Sequence, residues 1–69
     1  MNSKIEIVGY KHDTEMEIVL RKCKSDIDAE DYGKNFIRNG LMNKLQFRSI
    51  SMKTTHSKTG VSNYLKINL

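Results

Sequence analysis

The chain has 69 residues, a hydrophobic fraction of 38%, no proline and a formal net charge of +4. That length allows one small domain, residues 1–69, and leaves little room for a deep substrate cleft. A domain of this size buries only about 60% of the surface its unfolded chain would expose. Cys23 is the only cysteine, which excludes an internal disulfide and a cysteine-rich zinc site.

A lone thiol fits a reduced, cytoplasmic setting. The opening MNSKIEIVGY lacks the long apolar core of a signal peptide. No apolar run approaches the ~20 residues of a membrane helix, so no membrane partner is expected. The basic excess admits an anionic partner but is modest for a dedicated nucleic-acid binder, and it also keeps a small protein soluble.

Two β-rich runs, IEIVGY and EMEIVL, flank KHDT and predict a hairpin over about residues 4–22. With the turn centred between His12 and Asp13, Ile5 pairs with Leu20, Ile7 with Ile18 and Gly9 with Met16 on one face. Glu6 pairs with Val19, Val8 with Glu17 and Tyr10 with Glu15 on the other. A slip of one residue would mix the faces, so the apolar pattern favours this phase. The second face, with Val8, Tyr10 and Val19 among three glutamates, is a candidate contact surface.

From Ser25 the period changes. Ala29, Tyr32, Gly33, Phe36, Ile37 and Gly40 follow helical spacing and predict a helix over about residues 26–39. Ser25 is the candidate N-cap, with Asp28 three residues on, and Asn39-Gly40 supplies a left-handed stop.

The segment DIDAED, Asp26–Asp31, resembles the start of a calcium loop only briefly. Its sixth position holds Asp31 where glycine is needed, and its twelfth holds Ile37 where a bidentate glutamate is needed. At a helix N-terminus the same acids oppose a partly positive helix end, with Lys34 and Arg38 at the other. Gly33, on the apolar arc, predicts close approach of helix and sheet.

FRSISMKTTH and VSNYLKINL flank SKTG and predict a second hairpin over about residues 47–69. A turn centred between Lys58 and Thr59 pairs Ile50 with Ile67 and Met52 with Leu65 on the apolar side. Lys53 with Tyr64, Ser51 with Lys66, Ser49 with Asn68 and Thr55 with Ser62 fall on the other. Leu45 and Phe47 break this phase. Either a bulge near Arg48-Ser49 restores it, or Leu45 belongs to the segment leaving the helix.

The expected fold class is therefore α+β, a single β-β-α-β-β domain. Two hairpins form an antiparallel sheet, with one helix on one face. Strand order is not readable from the sequence. The hairpins could also assemble across a homodimer, since so short a chain gains from extra burial.

No convergent catalytic set emerges, and the expectation is a non-enzyme without metal or cofactor. His12 and His56, each near a hairpin tip, could cleave RNA with Lys11, Lys53 or Lys58 holding phosphate. That reading requires both tips to reach one phosphate. Cys23, between Lys22 and Lys24, could have a lowered pKa, but its position reads as a half-buried strand end.

Acidic and basic hairpins give the outer face an electrical division that suits a complementary protein surface or a second copy of the chain. The favoured expectation is a small binding protein of the inhibitor, adaptor or regulatory kind. It would contact a protein partner through the outer sheet face and hairpin tips, with Val8, Tyr10, Val19, Lys53, Tyr64 and Lys66 as candidate residues. The alternative partner is nucleic acid, held by Arg48, Lys53, Lys58, Tyr64 and Lys66, with an aromatic between cations to stack a base.

Overall fold

A computed structural model describes residues 3–69. Six elements follow in chain order: β1 (Ser3–Lys11), β2 (Glu17–Cys23), α1 (Asp26–Arg38), α2 (Leu41–Lys44), β3 (Phe47–His56) and β4 (Ser62–Lys66). The strands form one antiparallel sheet in the order β2-β1-β3-β4. The two hairpins thus meet along β1 and β3, and β2 and β4 become the edges. The α+β fold and the β-β-α-β-β order expected from the sequence are observed, with α2 as an additional single turn.

Central placement explains the composition of β1. Glu6, Ile7, Val8 and Gly9 are consecutively buried, because both faces of this strand are covered. On the helix side, Ile7, Ala29, Phe36, Phe47, Ile50 and Ile67 make the core. The Phe47 ring meets Phe36 edge-on, with centroids 5.9 Å apart. It also occupies the space over Gly9, where a Cβ would lie 2.7 Å from Phe47 Cε1. Gly33 serves the expected close approach: a Cβ there would lie 2.9 Å from Ile67 Cγ2.

DIDAED forms the start of α1. Ser25 Oγ accepts from the Asp28 amide at 3.1 Å. The Asp28 carboxylate accepts in turn from the Lys24 amide at 3.2 Å, one residue before the cap. These bonds satisfy amides that a helix start leaves open. Glu30 and Lys34 pair at 3.3 Å. Gly40, at φ 73°, ends α1 in the left-handed conformation and starts α2.

The second hairpin has the expected register: Ser51 with Lys66, Met52 with Leu65, Lys53 with Tyr64 and Thr55 with Ser62. The Ile67 amide donates to the Ile50 carbonyl at 3.0 Å. Both proposed explanations of the Leu45–Phe47 phase hold in part. The β1–β3 ladder shifts between Tyr10 and Lys11, passing from Ser49 to Phe47 and leaving Arg48 unmatched. Phe47 is thereby buried, while Leu45 caps α2 and stays exposed.

The first hairpin differs from expectation. Tyr10 pairs with Glu17, Gly9 with Ile18 and Val8 with Val19. The connection between strands spans residues 12–16 in place of the expected KHDT centred between His12 and Asp13, and Thr14 Oγ1 accepts from the Met16 amide at 2.7 Å. A slip of two residues leaves every side chain on its own face, so the apolar pattern could not detect it. Beyond Val8 a bulge at Leu20 changes the phase again, pairing Ile7 with Arg21 and Ile5 with Cys23. Leu20 packs against the core and Arg21 lies over the Tyr32 ring, 5.3 Å from its centroid.

Candidate outer-face site

The face opposite α1 is built by alternate residues: Glu6, Val8 and Tyr10 on β1, Glu17 and Val19 on β2, Ser51 and Lys53 on β3, Tyr64 and Lys66 on β4. No helix among the described residues covers it, yet Val8 is fully buried, and Glu6 and Ser51 nearly so. The register supplies the reason. Glu17 lies level with Tyr10, and Lys53 lies level with Glu6. Val8 is midway between those rows, so the two long side chains reach toward each other across it. Their charged ends meet at 2.6 Å.

The Glu17 carboxylate collects partners from every other strand. Lys53 Nζ on β3 donates to Oε2; Tyr64 Oη on β4 donates to Oε1 at 2.8 Å, and Tyr10 Oη on β1 donates to the same oxygen at 3.3 Å. The Lys53 ammonium also lies 5.6 Å from the Tyr64 ring centroid. One carboxylate thus links both sheet edges and roofs an apolar residue. Burial of a valine side chain contributes about 1.5 kcal/mol or more.

Ionisation follows this arrangement. The Lys53 and Tyr64 hydrogen bonds hold Glu17 below its ordinary value, against a smaller opposing effect of burial. Lys53 is held above its ordinary value, mainly by its bond to Glu17. Burial, then the neighbouring Glu17 charge, pushes the Tyr10 phenol up. A second pair, Arg48 with Glu15 at 3.3 Å, is more exposed, and the Arg48 guanidinium lies 5.8 Å from the Tyr10 ring centroid.

Of the protein-binding candidates, Val8, Tyr10, Lys53 and Tyr64 are brought together around Glu17. The roof shields Val8. Val19, on the β2 edge, and Tyr64, on the β4 edge, are about half exposed, and Lys66 is exposed beside Tyr64. Glu17, the centre of the cluster, was absent from the candidate residues. Its alternation with Val19 placed it on the correct face, but only the strand order brings the basic hairpin beside it.

The electrical division expected to meet a partner is instead met within the chain, through Glu17 with Lys53 and Glu15 with Arg48. Of the nucleic-acid candidates, Arg48 and Lys53 are therefore paired with carboxylates. Lys58 lies in the β3–β4 turn, and neither it nor Lys66 has a salt bridge among the described residues.

The two hairpin tips lie at opposite ends of the sheet. The His12 amide donates to the Gln46 carbonyl at the start of β3, whereas His56 at its end pairs with Ser3. The length of β1, roughly 30 Å at about 3.4 Å per residue, separates them. In a single chain the two histidines do not reach one phosphate, and the tips do not form one surface.

Cys23 is a half-buried free thiol, pushed above its ordinary pKa by burial and then by Asp28, opposite to the shift expected from Lys22 and Lys24. Among the described residues no three His, Cys, Asp or Glu side chains are placed to hold a metal ion. No helix among them is long and apolar enough to cross a membrane. No protein-family model, curated protein or solved structure matches this chain.

Proposed function

We propose that this is a non-enzymatic binding protein of the inhibitor, adaptor or regulatory kind, which engages a protein partner through the outer face of its sheet. One observation carries the proposal: Tyr64 is 50% exposed, yet its hydroxyl is fixed by Glu17 and its ring stands beside the Lys53 ammonium. An aromatic side chain held in place before binding loses little entropy on association. Tyrosine is also among the residues that contribute most at protein interfaces.

Lys66 extends this surface along β4, and Val19 offers a half-exposed apolar group on β2. Because Glu15 and Glu17 already hold Arg48 and Lys53, its recognition chemistry is aromatic and apolar, with Lys66 an exposed charge that makes no salt bridge among the described residues. That balance favours a protein over nucleic acid, for which the same pairing leaves few cations to neutralise phosphate.

The test is affinity capture from a nuclease-treated lysate, followed by mass spectrometry. A single protein recovered in stoichiometric amount, and lost on Tyr64→Ala and on Lys66→Glu, is the expected outcome. Capture that vanishes on nuclease treatment and weakens steeply with salt would assign the surface to nucleic acid.

A further inference from the structure

We infer that β4 is a self-association edge, at which a second copy of the chain adds its own β4 in antiparallel register to give a continuous eight-stranded sheet. The inference concerns the sheet edge and helix side of the molecule. It shares Tyr64 and Lys66 with the outer-face surface, and its tests are made at Leu65, on the opposite side of the sheet.

The two sheet edges are unequal. β2 carries Glu17, Arg21 and Lys22, and its ladder is interrupted by the bulge at Leu20. Charge and bulges both oppose pairing with a further strand. β4, Ser62–Lys66, has one charged residue, Lys66, and an uninterrupted register with β3. The Ile67 amide donates to Ile50, and the Val61 carbonyl accepts from His56. The odd-numbered residues of β4 therefore turn their backbone groups toward β3. By alternation, those of Ser62, Tyr64 and Lys66 point outward along a free edge.

The side-chain surface beside that edge is apolar and open. Helix α1 packs over β1, β2 and β3 but not over β4. Leu65, on the helix side of β4, is left 62% exposed. Between β4 and α1 runs a groove of about 390 Å³, with Met52, Leu65 and Ile67 on the sheet side and Asp26, Glu30 and Lys34 on the helix side.

Two properties fit this groove to a copy of itself. Its helix-side charges, Asp26 and Glu30 against Lys34, leave a slight acidic excess, so a net-basic chain can approach itself here without net repulsion. The same segment also carries exposed apolar residues that such a groove accepts, Leu65 and Leu69.

A two-fold axis normal to the sheet fixes the register. Outward-facing Tyr64 pairs with Lys66 of the other copy, which repeats the cation–aromatic neighbourhood already made with Lys53. The two Leu65 residues then stand directly opposite each other in a non-hydrogen-bonded pair, where Cα atoms are roughly 4.5 Å apart. Both α1 helices lie on the same face and flank the leucine pair.

Sedimentation equilibrium of the unmodified chain, from micromolar concentration to about 1 mM, reads the association. The expected result is a mass rising from 8.0 kDa toward twice that value. Leu65→Lys should remain a monomer with an unchanged circular dichroism spectrum and melting temperature, because Leu65 is exposed in the single chain. In a Cys23→Ser background, oxidation should cross-link Leu65→Cys at least tenfold faster than Asn63→Cys.

A mass of 8.0 kDa throughout overturns the proposal, as does equal cross-linking of the two cysteine variants. So does a β4 edge that remains monomeric but binds an unrelated extended apolar peptide. The Leu65 variants leave Tyr64 and Lys66 intact, so capture of an outer-face partner can be scored separately in the same proteins.

Discussion

Tyr64 on one edge strand donates a 2.8 Å hydrogen bond to Glu17 on the other. Two strands separate these residues in the sheet, and Lys53 and Tyr10, one from each of them, bond to the same carboxylate. The result is a polar roof over Val8 that both stabilises the uncovered face and fixes Tyr64.

Removal of one arm of the roof should therefore be felt through the others. Tyr64→Phe retains the ring and loses the hydrogen bond, and should lower stability by about 1 kcal/mol. In Glu17→Gln the same substitution should cost less, since the charged acceptor is gone. A double-mutant cycle by urea denaturation measures this coupling, and strictly additive effects would contradict a shared carboxylate.

Acid should loosen the same cluster. Glu17 is held below its ordinary 4.5 in the folded chain, so the stability it contributes is complete above pH 4.5. That stability is lost as pH falls through the depressed folded value. Lys53 and Tyr10 are both held above their ordinary values, 10.5 and 10.0. Their contributions are complete below those values and are lost as pH rises through the raised ones. The difference in melting temperature between the native chain and Glu17→Gln should be largest near pH 7 and shrink below pH 4. A difference independent of pH would show that the carboxylate is not the source.

Gly9→Ala introduces a Cβ 2.7 and 2.8 Å from two atoms of the Phe47 ring. That ring is buried against Phe36 and has little room to retreat. Overpacking should lower stability by about 2 kcal/mol and the melting temperature by roughly 10 °C. Thermal denaturation followed by circular dichroism checks this.

Gln46 occupies the left-handed region at φ 62°, between α2 and β3. Its carbonyl accepts the His12 amide at 3.3 Å, and its amide donates to Asn43 at 3.2 Å, which holds it there. Gln46→Gly should relieve the steric cost of that conformation while increasing the entropy of the unfolded chain. A net gain of about 0.5 kcal/mol, or roughly 2–4 °C, is expected in the same thermal assay.

The sequence made the helix, its serine cap and the second hairpin legible, because each rests on local contacts. Ser25 meets Asp28 three residues away, and β3 and β4 are joined by the five residues 57–61. The first hairpin was legible only in its faces. A register slip of two leaves Ile7, Gly9 and Ile18 on the core side, and neither the longer loop nor the bulge at Leu20 changes the apolar alternation enough to reveal it.

At the outer face, Tyr10, Lys53 and Tyr64 were recognisable as one-sided residues. The glutamate that unites them was not, because its partners depend on β1 and β3 being neighbours. That pairing is a long-range property of the sheet. It turns a charge division that looked available to a partner into ion pairs within the chain.

The central claim is that the Glu17-anchored Tyr64 is the principal contact with a protein partner. The most direct measurement compares the native chain, Tyr64→Phe and Tyr64→Ala for quantitative capture of that partner from nuclease-treated lysate. We predict strong capture by the native chain, a modest loss with phenylalanine, which keeps the ring but not its anchor, and a loss of at least tenfold with alanine. Equal capture by all three, with each variant folded, would contradict the claim.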